Sequence, residues 1–324
     1  MTTGEGRDLV AGAVRIQADD DADVSQVAAF DASPSFAMSV DTGPGADRVT
    51  AKVDVSVGDD GWVTDVEGFS DADITTGGGD DVVYGSVRIA GGDGTDINQS
   101  ATIRSDIDTG SGDDRIVARM HLATGEEGVA STSAAIRLAG ADEEETYSIA
   151  MGHGDDVLIA RAEIDAPESQ LAFAVGIIFG DVDMGAGDDQ VIAIGASTGT
   201  GDASPALNGS FGIAEATVRL GDGDDYLKAR GADGGIRLAH LDGGKGDDVF
   251  DVKDGTGSID GGEGEDLLRL GGRMSDYTFS SLDGERMSRA DSLLGEGVLH
   301  RLRGAGGFFR GFAGCRWRWF HACC

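Results

Sequence analysis

The stretch Leu241-Asp-Gly-Gly-Lys-Gly-Asp-Asp-Val-Phe250, with its near copy Ile259-Asp-Gly-Gly-Glu-Gly-Glu-Asp-Leu-Leu268, decides how this chain is read. Each has the form apolar-x-Gly-Gly-x-Gly-x-Asp-x-apolar, and the middle glycines are Gly246 and Gly264, an interval of 264 − 246 = 18. Gly243, Gly244 and Gly246 permit backbone conformations that a side chain would forbid, so the chain turns tightly here. Asp248 and Asp266, sixth in their nonapeptides, each set a carboxylate beside carbonyl oxygens. Hard oxygen donors on a tight turn suit calcium, with carbonyls of Gly243, Gly244, Gly246, Gly261 and Gly264 as supplementary ligands.

The same pattern recurs upstream. It reads Val40-Asp-Thr-Gly-Pro-Gly-Ala-Asp-Arg-Val49, Ile74-Thr-Thr-Gly-Gly-Gly-Asp-Asp-Val-Val83 and Ile107-Asp-Thr-Gly-Ser-Gly-Asp-Asp-Arg-Ile116. It continues as Ile149-Ala-Met-Gly-His-Gly-Asp-Asp-Val-Leu158, Val182-Asp-Met-Gly-Ala-Gly-Asp-Asp-Gln-Val191 and Val218-Arg-Leu-Gly-Asp-Gly-Asp-Asp-Tyr-Leu227. The corresponding aspartates are Asp47, Asp81, Asp114, Asp156, Asp189 and Asp225. In these six copies the first glycine is replaced by Thr, Met or Leu. A further match, Gly91-Gly-Asp-Gly-Thr-Asp96, adds Asp96 as a candidate ligand. A partial copy opens the chain: residues 3–16 match 76–89 at 9 of 14 positions, so the chain is expected to start in mid-repeat, as a fragment.

Tandem Gly-Gly-x-Gly-x-Asp nonapeptides closely resemble the haemolysin-type (RTX) calcium-binding repeats. The resemblance implies an all-β, right-handed parallel β-roll or β-helix solenoid with calcium bridging neighbouring coils. It also implies an extracellular protein exported by type I secretion, through a dedicated channel and an uncleaved C-terminal signal. The gaps between successive motifs are 39, 34, 33, 42, 33, 36, 23 and 18, and most lie near twice 18. A coil of about 18 residues is therefore expected, with each long repeat forming two coils. Motif aspartates would then sit two coils apart, about 9–10 Å, and would need an intermediate turn as partner. Some 14 such coils would make a rod on the order of 70 Å long. Between turns, period-two runs such as Val49-Thr-Ala-Lys-Val-Asp-Val55 predict strands with one buried face. One repeat cannot bury its apolar row alone and must stack on its neighbours.

The chain divides into a solenoid over 1–270, a cap segment over 271–282 and an atypical tail over 283–324. Residues 285–324 carry seven Arg and three acids, and the tail holds Cys315, Cys323 and Cys324, all the cysteines there are. A reading-frame shift, a poorly ordered natural tail and a basic-aromatic membrane-touching segment each account for it. With no cysteine before Cys315, the body is not a disulfide scaffold.

A net charge of −34 opposes nucleic acid and anionic lipid as partners. Charge on this scale destabilises a compact state by self-repulsion, and carboxylates within glycine turns await divalent cations. No apolar run approaches the length of a membrane span. No zinc-protease, P-loop or serine-hydrolase motif is present, and the histidines form no metal-spaced pair. The expected role is therefore not enzymatic. It is a calcium-binding structural, adhesive or toxin-associated module whose folding the metal drives. The alternative is a carbohydrate-active β-helix enzyme, an epimerase or lyase, which requires Lys, Arg, His or Tyr gathered on one strand face.

Overall fold

The computed structural model describes residues 1–31, 38–131, 133–140, 145–166, 172–198, 209–271, 278–279 and 302–303. Among these the regular structure is all β, arranged in two large parallel sheets of nine and fourteen strands. The nine-stranded sheet runs Leu9–Gln17, Arg48–Val57, Val82–Gly91, Arg115–Ala123, Val157–Asp165, Gln190–Ser197, Tyr226–Arg230, Val249–Val252 and Leu267–Leu270, each paired with the next in chain order.

Register shows what the motif's two apolar ends do. The last motif residue forms one buried row, Val49, Val83, Ile116, Leu158, Val191, Leu227, Phe250 and Leu268, in direct register across the nine-stranded sheet. The first forms a second buried row in the other sheet: Val40, Ile74, Ile107, Ile149, Val182, Val218, Leu241 and Ile259. The turn therefore joins the sheets, and the apolar residues on either side of it feed one core. Branched side chains suit such rows, because identical positions stack on the pleat.

The same register corrects the expected coil length. Partners in the nine-stranded sheet, such as Leu9 with Arg48, Arg48 with Val82 and Val82 with Arg115, are separated by one full repeat. One step across the sheet thus takes 33 to 42 residues over most of the chain. It shortens to 23 and then to 18 only at the last two steps, the final one joining Val249 to Leu267. The intermediate acidic turns begin no coil of their own. They lie at the other end of the same one: Asp59 N–H bonds Asp20 Oδ1 at 3.0 Å, and Asp93 N–H bonds Asp59 Oδ1 at 2.9 Å. Nine stacked strands at about 4.8 Å give a stack of roughly 40 Å, not the expected length of about 70 Å.

Backbone packing explains why the turns need glycine. Gly246 has φ +125, and a Cβ on it would lie 1.9 Å from the carbonyl oxygen of Gly223 in the preceding turn. A side chain there would have to displace the neighbouring backbone. Beyond Gly271 only the short antiparallel pair Thr278–Phe279 with Leu302–Arg303 is described, so the expected cap and tail otherwise lie outside the described residues. No helix among the described residues is long and apolar enough to cross a membrane.

Candidate metal centre

The turns joining the sheets stack the sixth-position aspartates into a column. Asp8 N–H donates to Asp47 Oδ1 at 2.6 Å, Asp47 N–H to Asp81 Oδ1 at 2.7 Å, and Asp81 N–H to Asp114 Oδ1 at 2.8 Å. The series continues through Asp156, Asp189, Asp225 and Asp248 to Asp266 at 2.7, 2.8, 2.7, 3.0 and 3.1 Å. Each aspartate from Asp47 to Asp266 is at most 2% exposed. The motif aspartates are thus direct neighbours, and no intermediate turn separates them. Asp96 is not among them. It starts a short strand of the other sheet, paired with Trp62 and Val129.

One oxygen of each carboxylate is tied to the preceding turn. The other, Oδ2, is buried without a hydrogen-bond partner in Asp47, Asp81, Asp114, Asp156, Asp189, Asp225 and Asp248. A buried carboxylate with half its lone pairs unmatched is costly to ionise. Burial is accordingly the leading cause that pushes Asp114 and Asp225 up to about 6, Asp156 to about 7, and Asp189 and Asp248 to about 8. The donated backbone N–H offsets part of the rise, while neighbouring carboxylates add to it.

From Asp80 onward the second acid of each turn is exposed and forms a ladder of the opposite sense; the Asp47 turn has Ala46 at this place. Asp113 N–H donates back to Asp80 Oδ1, Asp155 N–H to Asp113, Asp188 N–H to Asp155, and so on to Glu265 N–H on Asp247 Oδ1, at 2.7–3.1 Å. Adjacent acids in one motif therefore have different tasks. The inner one receives from the coil before it, and the outer one receives from the coil after it.

Motif position one varies and is buried in every full copy. Thr42, Thr76, Thr109, Met151, Met184 and Leu220 are fully buried, and they follow residues in direct register with Asp242 and Asp260, which precede Gly243 and Gly261. The threonine hydroxyls lie beside their aspartates and lower the pKa of Asp81 and Asp114 somewhat. Each nevertheless donates its single proton to a carbonyl of the next coil, Thr76 to Thr109 O at 3.2 Å and Thr109 to Met151 O at 2.9 Å. A Cβ built on Gly243 would meet Asp248 Oδ2 at 2.3 Å and Gly261 O at 2.4 Å, and one on Gly261 would meet Asp266 Oδ2 at 2.4 Å. At Gly243 a carboxylate and a carbonyl oxygen, and at Gly261 a carboxylate oxygen, thus point at the place where a side chain would begin. That donor set fits calcium, which accepts carboxylate and carbonyl oxygens alike. Of the expected carbonyl donors, Gly261 O faces this volume, whereas Gly244 O already accepts Glu263 N–H at 2.7 Å. Among the described residues no three His, Cys, Asp or Glu side chains converge as a metal cluster, so any cation here would depend on backbone oxygens.

A further cluster has no counterpart in the sequence motifs. Arg104 Nη2 lies 3.0 Å from Glu67 Oε2 and 3.1 Å from Asp71 Oδ2, and Asp71 also accepts from the Tyr147 hydroxyl. Burial pushes Glu67 up to about 7, against the opposing pull of Arg104. Glu67 and Asp71 share one strand, Arg104 lies in the strand paired with it and Tyr147 lies outside any strand, so no sequence motif marks them together.

No family model matches the chain, and no curated protein sequence does.

Proposed function

We propose that the chain is a calcium-binding solenoid of the haemolysin-type repeat class, the module of an exported protein, in which the metal supplies the folding energy that its carboxylates withhold. The observation that carries this reading is the column from Asp47 to Asp266. It is a continuous file of buried carboxylates on one edge, spaced by single strands, with no cationic side chain in its hydrogen-bond ladder. Without a cation, ionising such a file opposes folding. With one, binding free energy becomes folding free energy. Extracellular calcium modules bind at about 10⁻⁴–10⁻³ M, so a chain of this kind stays loose where calcium is scarce and closes after export. Asp248, Asp266 and Gly261 O would hold the ion. Circular dichroism in chelator and in millimolar calcium tests the reading: an unchanged β signal and an unchanged melting temperature would overturn it.

A second reading draws on the Glu67 cluster. A carboxyl with a pKa of about 7 beside Arg104 and near Tyr147 is the kind of group a polysaccharide lyase or epimerase uses. Product formation from uronate polymers, lost in Glu67→Gln, would favour it. Here, however, Arg104 is paired with two carboxylates and only 13% exposed, so the binding role is the stronger reading.

A further inference from the structure

We infer that the side chain at motif position one decides which turns admit a cation, so that the interior site is confined to the Gly243 and Gly261 turns while the other six hold their carboxylates without metal. This rests on the calcium reading and goes beyond it, because the repeated aspartates taken alone would assign an ion to every turn.

The argument is one of space and donors. At Gly243 two oxygens, Asp248 Oδ2 and Gly261 O, converge on the point where a Cβ would stand, at 2.3 and 2.4 Å. Asp248 is fully buried, and that oxygen has no other partner. In the six upstream turns a side chain already stands at this place in the register. Met151, Met184 and Leu220, each fully buried, bring hydrocarbon or a soft thioether to the turns of Asp156, Asp189 and Asp225. Calcium needs six to eight hard oxygens, and these side chains take up the place of the ion without adding one. Thr42, Thr76 and Thr109 commit their hydroxyl protons to the next coil's carbonyls at 2.9–3.2 Å, which closes the volume with a hydrogen bond. The upstream column is thus a dry spine. The cation site is a clamp at its C-terminal end, where the step from one motif to the next is also shortest, Asp248 to Asp266 being 18 apart in sequence.

The test uses the full chain. Bound calcium is counted by equilibrium dialysis with atomic absorption, and terbium luminescence reports affinity. The wild type should bind no more than two interior ions. Gly243→Met should lose the site, with at least a tenfold fall in terbium affinity. Gly243 has no positive φ and two upstream turns already carry Met at this place, but the new Cβ must displace Gly261 O, 2.4 Å away, so Leu220→Gly, which adds no side chain, carries the test where this variant does not fold. Its β signal, read in the same calcium buffer as the ion count, should persist, separating loss of metal from loss of fold. Leu220→Gly, which extends the open run by one turn, should gain an ion. An ion count near the number of motif aspartates, or undiminished binding in Gly243→Met, would overturn the inference and leave the calcium reading standing. No bound ion in the wild type would sink both.

Discussion

Replacing Asp156 with Asn changes one atom in the middle of the carboxylate column, and its effect on stability should depend on pH. In the fold, Asp156 Oδ1 accepts Asp114 N–H at 2.7 Å, and an amide oxygen would keep that bond. Oδ2, buried and without a partner, becomes an NH₂ group. Burial first, then the charges of Asp114 and its neighbours, pushes the Asp156 carboxyl from 3.8 up to about 7. The folded pKa is the higher one, so the folded state holds the proton more tightly. The stability that this group contributes is complete below about pH 4 and is lost as pH rises towards 7. At about 1.4 kcal/mol per tenfold change in proton affinity, the wild-type penalty is about 1–2 kcal/mol at pH 5 and about 4 kcal/mol at pH 8. The amide's own cost, an unmatched buried donor of about 1–3 kcal/mol, is the same at both values and cancels in the comparison. The stability of Asp156→Asn relative to wild type should therefore rise by about 3 kcal/mol between pH 5 and pH 8. Urea denaturation in the same millimolar calcium at the two pH values measures it directly. A relative stability that stays constant within about 0.5 kcal/mol would refute the claim that buried, unpaired charge strains the column.

Other perturbations probe the remaining features. Gly246→Ala should destabilise by at least about 3 kcal/mol, since it adds a backbone clash to a left-handed φ of +125. Gly78→Ala is its control: Gly78 has no positive φ and nothing nearer than 3.3 Å, so its thermal melt should be unchanged or raised. Phe69 is fully buried and stacks on Phe30 at 5.1 Å, so Phe69→Ala should cost about 3–5 kcal/mol in chemical denaturation. Arg104→Met removes the partner of Glu67 and Asp71 and should cost about 3–5 kcal/mol at pH 8. The cost should be smaller at pH 5, where Glu67, raised to about 7, is protonated.

The sequence determined the parts that are local. A nonapeptide with glycines at fixed places makes the same turn wherever it occurs, so the edge, the inward aspartates and the apolar residues flanking each turn were all legible. Period-two alternation likewise marked Val49–Val55 as strand. Coil length was not legible. A Gly-Asp turn such as Gly58-Asp-Asp-Gly61 looks the same whether it opens a new coil or closes the far end of the current one, and only strand pairing distinguishes them. Pairing joined whole repeats, 33 to 42 residues apart over most of the chain, making the motif aspartates neighbours and leaving Asp96 in the other sheet. The Glu67, Asp71, Arg104 and Tyr147 cluster was equally invisible, because stacking alone brings its members together. Tertiary structure also gave position one its meaning. Thr, Met, Leu and Gly are all acceptable beside a turn glycine in the sequence. Folding buries that position in every full copy of the turn, and at Gly243 and Gly261 sets it against a carboxylate oxygen, which no local pattern reveals.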